Sequence, residues 1–501
     1  MEAIISGIMG ELAVRSLFFL IDRYLKPATS KEEIIQRLQW MLLRVRLTVE
    51  EAEGRCITNQ AMLQQLNMLR QVMHRGYYML DTFLQLAPEE VTDNDDGTGH
   101  SLSLAKFNPK RVCYFAGSKH GRKKIEEMLE SVEMAITGMS EFVILLRNYP
   151  RMFRQPYSTY LFIEKCMFGR QMEMERVINF LLYEEPPADV NFGVLPIVGP
   201  GKVGKTTLVE HVCCDQRVRN HFSRILFLCD NDFREENQHS LRDRGRIIHQ
   251  QGDSDEEIFL VIVELVGSID GSAWRRLCSA YQSRVSNSSK IIITSRSKNI
   301  ISFGTTETLS LKFLSQEAYW YFFKALIFGS ADPKEQPKLA SVAVRIFEEY
   351  FDQDIHTTFT GPFLDLNSTA ILLKSSVGVQ NWLRILGTIR ETRHQNECLS
   401  RKFLSGIGME NDRIFLQRGT ETSQYCVVHN HDRIGFDNEE APVQTLLEII
   451  SGSVPPHGKF EVLLWKSRLP PYHNHIYSCE ILNLEREVTR NKQGQKRKII
   501  F

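Results

Sequence analysis

A single stretch, Gly199 to Thr207 with the sequence GPGKVGKTT, constrains the fold of this chain more than any other feature. The apolar residues 194–198 before it predict a buried strand, and residues 208–213 after it begin a helix. In a strand, glycine-rich turn and helix of this kind, backbone N–H groups of the turn and the helix N-terminus face one anion. The sequence therefore predicts a Walker A phosphate-binding loop and a purine nucleotide site.

The residues of this loop have distinct predicted roles. Gly199, Gly201 and Gly204 let the backbone turn tightly around a phosphate chain. Lys205 is predicted to reach the β- and γ-phosphates, and the Thr206 hydroxyl to bind Mg²⁺. The predicted nucleotide contacts within the loop are Gly199, Gly201, Val203, Gly204, Lys205, Thr206 and Thr207. The alternative is a chance glycine turn, which the complete match in this context disfavours.

Three further apolar runs predict parallel strands of one sheet. They cover residues 225–229, residues 258–263, which end beside Glu264, and residues 290–296, which end in Arg296. Strands that alternate with helices predict a doubly wound α/β sheet, in which ligands bind at the carboxyl ends of the strands. We therefore expect Glu264 and Arg296 to lie beside the phosphate loop, with Glu264 as the second Mg²⁺ ligand.

Composition narrows the class of protein. The chain has 501 residues, which predicts two to four domains, and its 61 basic and 61 acidic residues balance. Zero net charge gives no argument for nucleic acid as a partner. The ten cysteines are scattered without metal-ligand spacing, which favours a reducing compartment. No apolar run reaches the ~18 residues of a membrane span, so we expect a soluble, cytoplasmic protein.

The N-terminal part of the chain predicts a helical bundle. Apolar residues recur at helical spacing over residues 1–26, 62–80 and 125–147. A further predicted helix begins at the capping box of Ser30 and Glu33. Each apolar stripe is too wide for a lone helix in water, so the helices should pack together. The first is apolar on nearly all faces, which predicts that the bundle self-associates or pairs with a related bundle.

The predicted fold class is multidomain α and α/β. The predicted domains are a helical bundle at 1–150, a P-loop nucleotide-binding domain at 157–330, a helical subdomain at 331–400 and a diverged or truncated C-terminal region at 401–501. Strand candidates in the last region are residues 414–416, 425–428 and 460–465.

Several segments in one order resemble a known family. The helical N-terminus, Phe168-Gly169-Arg170, GPGKVGKTT, IIITSR and LSQEAYWYFFKALIFG follow one another as in the plant coiled-coil NB-ARC (NLR-type) disease resistance proteins. The resemblance implies ADP or ATP with Mg²⁺ as cofactors. It implies that Phe168, Gly169 and Arg170 contact the adenine, that Arg296 reads the terminal phosphate, and that Pro362 in the partial match GPFL lies against the base.

The chain also departs from that family. Leu265 follows Glu264 where the family has a second aspartate, so no carboxylate is predicted to orient an attacking water. We therefore predict at most weak ATP hydrolysis and name no catalytic residue. The family's acidic motif in the third helix is reduced to residues 76–81, and residues 430–432 are a poor match to its Met-His-Asp motif. We find no leucine-rich repeat.

Two classes of function remain open from the sequence. The first is an ADP/ATP-dependent signalling switch in plant immunity and the hypersensitive response. The second is a nucleotide-independent adaptor or decoy that pairs with a full-length receptor. An ordinary P-loop hydrolase or kinase is a third, weaker alternative. The expected partners are a second immune receptor or copy bound through residues 1–150, and a pathogen effector or guarded host protein; a peripheral position at the plasma membrane is an alternative location.

Overall fold

The structure is a computed structural model. The residues it describes are 31–85, 119–151, 168–183, 193–229, 246–250, 258–265, 271–282, 289–329, 331–351, 362–375, 377–387, 389–390, 413–417, 424–436, 442, 444, 449, 458–466 and 473–483. They belong to two compact units. One contains Met1–Glu164 and Gln316–Val344, and the other contains Lys165–Ser315 and Arg345–Phe501. The predicted first helix, residues 1–26, and the predicted cap Ser30 lie outside the described residues.

Helices and strands are numbered along the chain. The helices are α1 (Lys31–Glu53), α2 (Gln60–Gln85), α3 (Lys119–Thr137), α4 (Ser140–Leu146), α5 (Gln171–Tyr183), α6 (Lys205–Cys214), α7 (Gln216–His221), α8 (Gly271–Gln282), α9 (Gln316–Phe328), α10 (Pro337–Phe351), α11 (Pro362–Ser375) and α12 (379–387). The strands are β1 (Gly193–Val198), β2 (Arg224–Cys229), β3 (Arg246–Gln250), β4 (Phe259–Glu264), β5 (Lys290–Ser295), β6 (Leu309–Ser310), β7 (Arg413–Gln417), β8 (Gln424–Phe436), β9 (Lys459–Lys466) and β10 (His473–Asn483).

Helices α1, α2 and α3 pack through the apolar stripes that predicted them. Leu38, Leu42 and Val45 of α1 are completely buried, one helical turn apart. Gly76 lets α2 approach α1 closely, because a Cβ at this position would lie only 2.4 Å from Cδ2 of Leu42. The glycine of the reduced acidic motif therefore has a packing role in the first unit.

The prediction of one continuous helix over residues 125–147 is wrong. The structure breaks it into α3 and α4 at Gly138 and Met139. The Gly138 N–H donates to the carbonyl of Met134, 3.0 Å away, but the Met139 N–H donates to that of Ile136, 3.2 Å away and only three residues back. This tightened last turn ends α3, as glycine near a helix C-terminus commonly permits.

Helix α9 belongs to the first unit and packs on α2. The Asp81 carboxylate accepts a hydrogen bond from Trp320 Nε1 at 2.8 Å and from Lys324 Nζ at 2.7 Å. The rings of His74 and Tyr321 lie 4.8 Å apart. Burial and the charge of Arg70 lower the pKa of His74 to about 3, so its ring is neutral in this contact. The aspartate of the reduced acidic motif thus holds α9.

The second unit contains a six-stranded sheet in the order β3-β2-β4-β5-β1-β6. All neighbouring strands are parallel except β3, which pairs antiparallel with β2. The four predicted strands are confirmed as β1, β2, β4 and β5, and with the helical first unit they confirm the predicted fold class. Strands β3 and β6 were not predicted, because each is a short edge strand without a continuous apolar run.

Apolar side chains cover both faces of this sheet. On one face, strand residues pack with α5 and α6. On the other, Val263 and Ile293 pack with Trp274 and Leu277 of α8. Burial on both faces explains why β1 and β4 are almost entirely apolar in sequence and why β5 has an apolar centre, Ile291–Ile293. This packing fixes the carboxyl ends of the three strands as neighbours at one edge.

The C-terminal region forms a second, antiparallel sheet in the order β7-β8-β10-β9. Three of its strands contain the predicted candidates, whereas β10 was not predicted because polar residues interrupt its sequence HNHIYSCEILN. Residues 430–432, the poor match to the Met-His-Asp motif, lie within strand β8. The apolar side of the sheet contains Cys426, Val428, Phe460, Val462, Tyr477 and Cys479, all buried.

Candidate functional site

The phosphate loop connects β1 to α6 in a conformation that requires its glycines. A Cβ on Gly199 would lie 2.7 Å from the carbonyl oxygen of Leu311, and Gly204 has a φ of 95°, in the left-handed region. Helix α6 begins at Lys205, directly after that glycine. Val203 is completely buried and Thr207 is exposed. The local structure therefore has the strand, turn and helix of a phosphate-binding loop.

Lys205 is held inside this loop. Its Nζ donates to the carbonyl oxygens of Gly199 and Pro200, each 2.8 Å away. Burial lowers the pKa of Lys205 to about 8; the nearby Arg296 adds to this effect and Glu264 opposes it. A phosphate beside the ammonium would stabilise its charged form, so the arrangement suits an anionic ligand.

The two predicted Mg²⁺ ligands are in direct contact. The Thr206 hydroxyl at the start of α6 donates a hydrogen bond to Oε1 of Glu264 at the end of β4. Threonine and carboxylate oxygens are hard ligands of the kind that Mg²⁺ prefers. Among the described residues, no group of three His, Cys, Asp or Glu side chains could hold a metal alone. A magnesium ion here would therefore take its other ligands from phosphate oxygens and water.

Arg296 follows β5, the strand that lies between β1 and β4. Its side chain is exposed to solvent, and its Nε and Cζ atoms lie 3.0 Å from the position that a Cβ on Gly201 would take. Any larger residue than glycine at 201 would displace the guanidinium. The structure therefore brings Arg296, Lys205, Thr206 and Glu264 to one edge of the sheet.

Phe168, Gly169 and Arg170 lie directly before α5. Gly169 has a φ of 69° and packs against Leu314. The buried Arg170 donates to Oε1 of Glu173 at 2.9 Å and to the carbonyl oxygen of Lys312, and its Nη2 lies 3.5 Å from the carbonyl oxygen of Val203. These contacts tie the segment to the phosphate loop, and the adenine contact implied for the three residues stays a prediction.

Pro362, the residue expected against the base, is buried at the first position of α11. One turn later, burial raises the pKa of the Asp365 carboxyl to about 7, although the positive charge of Lys202 acts in the opposite direction. The start of α11 and the phosphate loop are therefore close enough for a charge on one to affect the other.

Lys202 and Tyr477 were missed as site residues by the sequence analysis. Nζ of Lys202, in the phosphate loop, donates to the Tyr477 hydroxyl of β10 at 3.0 Å and lies 5.5 Å from the centre of its ring. The two residues are far apart in sequence and β10 was not predicted, so no sequence signal pointed to the pair. A positive φ at Lys202 is also invisible in the sequence.

Leu265 lies in the apolar core beside the site. It is buried with Val263, Ile293 and Trp274, and its N–H donates to the carbonyl oxygen of Thr294 at 2.9 Å. The side chain after Glu264 therefore fills space under the sheet edge.

Comparisons with known proteins find similarity to plant disease resistance proteins. The chain is 23% identical over 338 residues to the disease resistance protein RGA2 of Solanum bulbocastanum, an alignment that covers 64% of this chain and 33% of that protein. It is 24% identical over 355 residues to the disease resistance RPP13-like protein 1 of Arabidopsis thaliana, covering 64% of this chain and 32% of that protein. The chain is a relative of the NLR-type plant disease resistance proteins.

The chain spans about a third of the length of the curated proteins it matches. No protein-family model matches it. A solved structure of C. elegans PCH-2 matches with a TM-score of 0.30 at 12% identity, over 46% of this chain and 72% of that one, which is too low to support an inference. None of the described helices is long and apolar enough to cross a membrane.

Proposed function

We propose that this protein is an ADP- or ATP-binding switch in plant immunity. The observation that carries the proposal is the contact between Thr206 and Glu264, with Lys205 inside the adjoining loop. At the N-terminus of α6, the hydroxyl and the carboxylate would bind the magnesium ion, and the ammonium would bind the phosphates of the nucleotide. Its disease resistance relatives support the role in plant immunity.

The proposed nucleotide would be bound by the loop through its phosphates. Lys205 and Arg296 supply positive charge, and the backbone of the loop supplies N–H donors. Phe168, Gly169, Arg170 and Pro362 are the proposed residues on the side of the base. With Leu265 in the apolar core, no acidic side chain follows Glu264 to orient a water molecule, so we propose slow or absent hydrolysis.

An adaptor that works without nucleotide is the second candidate function. The position of Leu265 favours it, because a protein that never hydrolyses ATP needs no second carboxylate at the end of β4. The intact contacts of Lys205 and Thr206 favour the switch instead, since an adaptor has no need of them.

Titration calorimetry on the full chain distinguishes the two candidates. We expect ADP and ATP to bind, and Thr206→Ala to weaken binding about tenfold with Mg²⁺ but little in EDTA, since the hydroxyl acts through the metal. Thr137→Ala is the matched control, because it removes an exposed threonine hydroxyl from α3, away from every predicted nucleotide contact. If the wild-type protein binds neither nucleotide, the switch is excluded and the adaptor remains.

We further propose that the N-terminal bundle associates with a second copy of this chain or a related receptor. Trp40, Leu43 and Leu47 lie three and four residues apart on one face of α1, and Trp40 is 60% exposed. Covering one such side chain with a partner is worth about 1.5–3 kcal/mol. Three such side chains on one face therefore favour association, against the freedom that two chains lose when they bind. An effector or guarded host protein is a further proposed partner.

Trp40→Glu should shift the full chain toward monomer in analytical ultracentrifugation, because it places a charge in the proposed contact. Trp40 is exposed, so the charge should leave the fold intact, and circular dichroism checks that it does. Gln71→Glu adds the same charge on an exposed position of α2 and should leave association unchanged. A wild-type chain that sediments as a monomer at its highest soluble concentration would contradict self-association.

A further inference from the structure

Lys202 has a backbone conformation that only glycine adopts easily. Its φ is 63°, and it is the only non-glycine residue with a positive φ among those that the structure describes. The Cβ of an ordinary residue disfavours this left-handed region by roughly fivefold to thirtyfold. Something in the fold must therefore stabilise the conformation of this position, which lies in the middle of the phosphate loop.

The side chain of Lys202 has two contacts with one residue. Its ammonium donates to the hydroxyl of Tyr477 at 3.0 Å and lies 5.5 Å from the centre of the same ring. A charge-assisted hydrogen bond and a cation–π contact act together here. The charge of Lys202 also acts to lower the pKa of the Asp365 carboxyl, although burial of that carboxyl raises it.

Tyr477 is itself firmly held. It is 1% exposed and packs among Cys426, Phe460 and Val462 on the apolar side of the C-terminal sheet. Strand β10, which carries it, is paired on both sides, with β8 and with β9. A ring fixed in this way can hold a flexible lysine side chain in place with little loss of its own freedom.

We propose that Tyr477 is a positioning residue of the nucleotide site, which keeps the phosphate loop in its phosphate-binding conformation by holding Lys202. The proposal rests on the nucleotide binding proposed above. It gives the C-terminal sheet a role: the sheet contributes to the affinity for a nucleoside di- or triphosphate without touching it. A loop already in its binding conformation loses less freedom when the phosphates bind.

Two variants of the full chain and their combination test this role. Tyr477→Phe removes the hydroxyl and keeps the buried ring, and should raise the Kd for Mg²⁺–ADP about fivefold in titration calorimetry. Lys202→Gly adopts the same φ without strain, and its own Kd for ADP is the reference for the combined variant. In the Lys202→Gly background, Tyr477→Phe should have no further effect, because the glycine no longer needs to be held.

The outcomes separate this proposal from the proposed function. If the wild-type protein binds ADP and Tyr477→Phe binds it equally well, the positioning role is overturned while nucleotide binding stands. If Tyr477→Phe lowered the affinity for ADP equally in the wild-type and in the Lys202→Gly background, Tyr477 would have a general structural effect. That result would also overturn the positioning role. A wild-type chain that does not bind ADP would overturn both, and Lys205→Ala gives the reference for a site without its phosphate-binding lysine.

Discussion

Replacing Lys205 with alanine is expected to raise the Kd for ADP and ATP at least about a hundredfold, a loss of ~3 kcal/mol. The ammonium is a buried positive charge that donates to two carbonyl oxygens inside the loop. Hydrogen bonds to charged groups are worth about 1.5–3 kcal/mol each. Arg276→Ala, which removes an exposed positive charge on α8, is the control and should change the Kd little.

The same lysine should make nucleotide binding dependent on pH. In the free protein the pKa of Lys205 is about 8, below the ordinary value, because the side chain is buried beside Arg296. Bound phosphates favour the charged form, so above pH 8 binding must take up a proton and affinity should fall as the pH rises. Calorimetry in buffers of different ionisation enthalpy measures that proton, and Lys205→Ala should abolish it. Equal affinity at pH 7 and pH 9 would contradict the assigned role.

The fold around the candidate nucleotide site could be predicted because its signals are local. GPGKVGKTT fixes a turn between a strand and a helix, and the runs before Glu264 and Arg296 are apolar because both faces of the sheet are covered. Parallel strands bring their carboxyl ends together, so the neighbourhood of these residues follows from the strand order. In this part of the chain, sequence pattern and tertiary structure agree.

The remaining contacts could not be predicted because they depend on tertiary packing. Tyr477 lies in β10, whose polar residues hide its periodicity, and it meets Lys202 from the opposite end of the chain. The role of Asp81 depends on α9, which follows the six-stranded sheet in sequence but packs with α2. No sequence spacing predicts either pairing, because the paired residues come from separate elements.

Leu265 shows how one residue supports two interpretations until its surroundings are known. Its sequence position, directly after Glu264, indicates a missing second carboxylate of the nucleotide site. Its side chain, however, packs with Val263, Ile293 and Trp274 in the apolar core. The first interpretation predicts that a carboxylate at position 265 would raise ATP hydrolysis. The second predicts that it would destabilise the apolar core.

Leu265→Asp is therefore expected to destabilise the second unit and to give no gain in ATP hydrolysis. A carboxylate here would lose the packing of a buried leucine and would lie in an apolar cluster without a hydrogen-bond partner. Together these effects should lower the free energy of unfolding by about 3–5 kcal/mol. Differential scanning calorimetry measures the loss, and release of inorganic phosphate measures turnover.

Leu265→Met is the matched control, since it conserves volume and apolar character and should lower the free energy of unfolding by less than about 1.5 kcal/mol. Both variants leave Glu264 and the phosphate loop unchanged, so a difference between them reports on charge in the core. If Leu265→Asp melted like the wild type and hydrolysed ATP faster, the side chain would have to reach the nucleotide. That result would make the missing carboxylate, and not core packing, the reason for the proposed slow turnover.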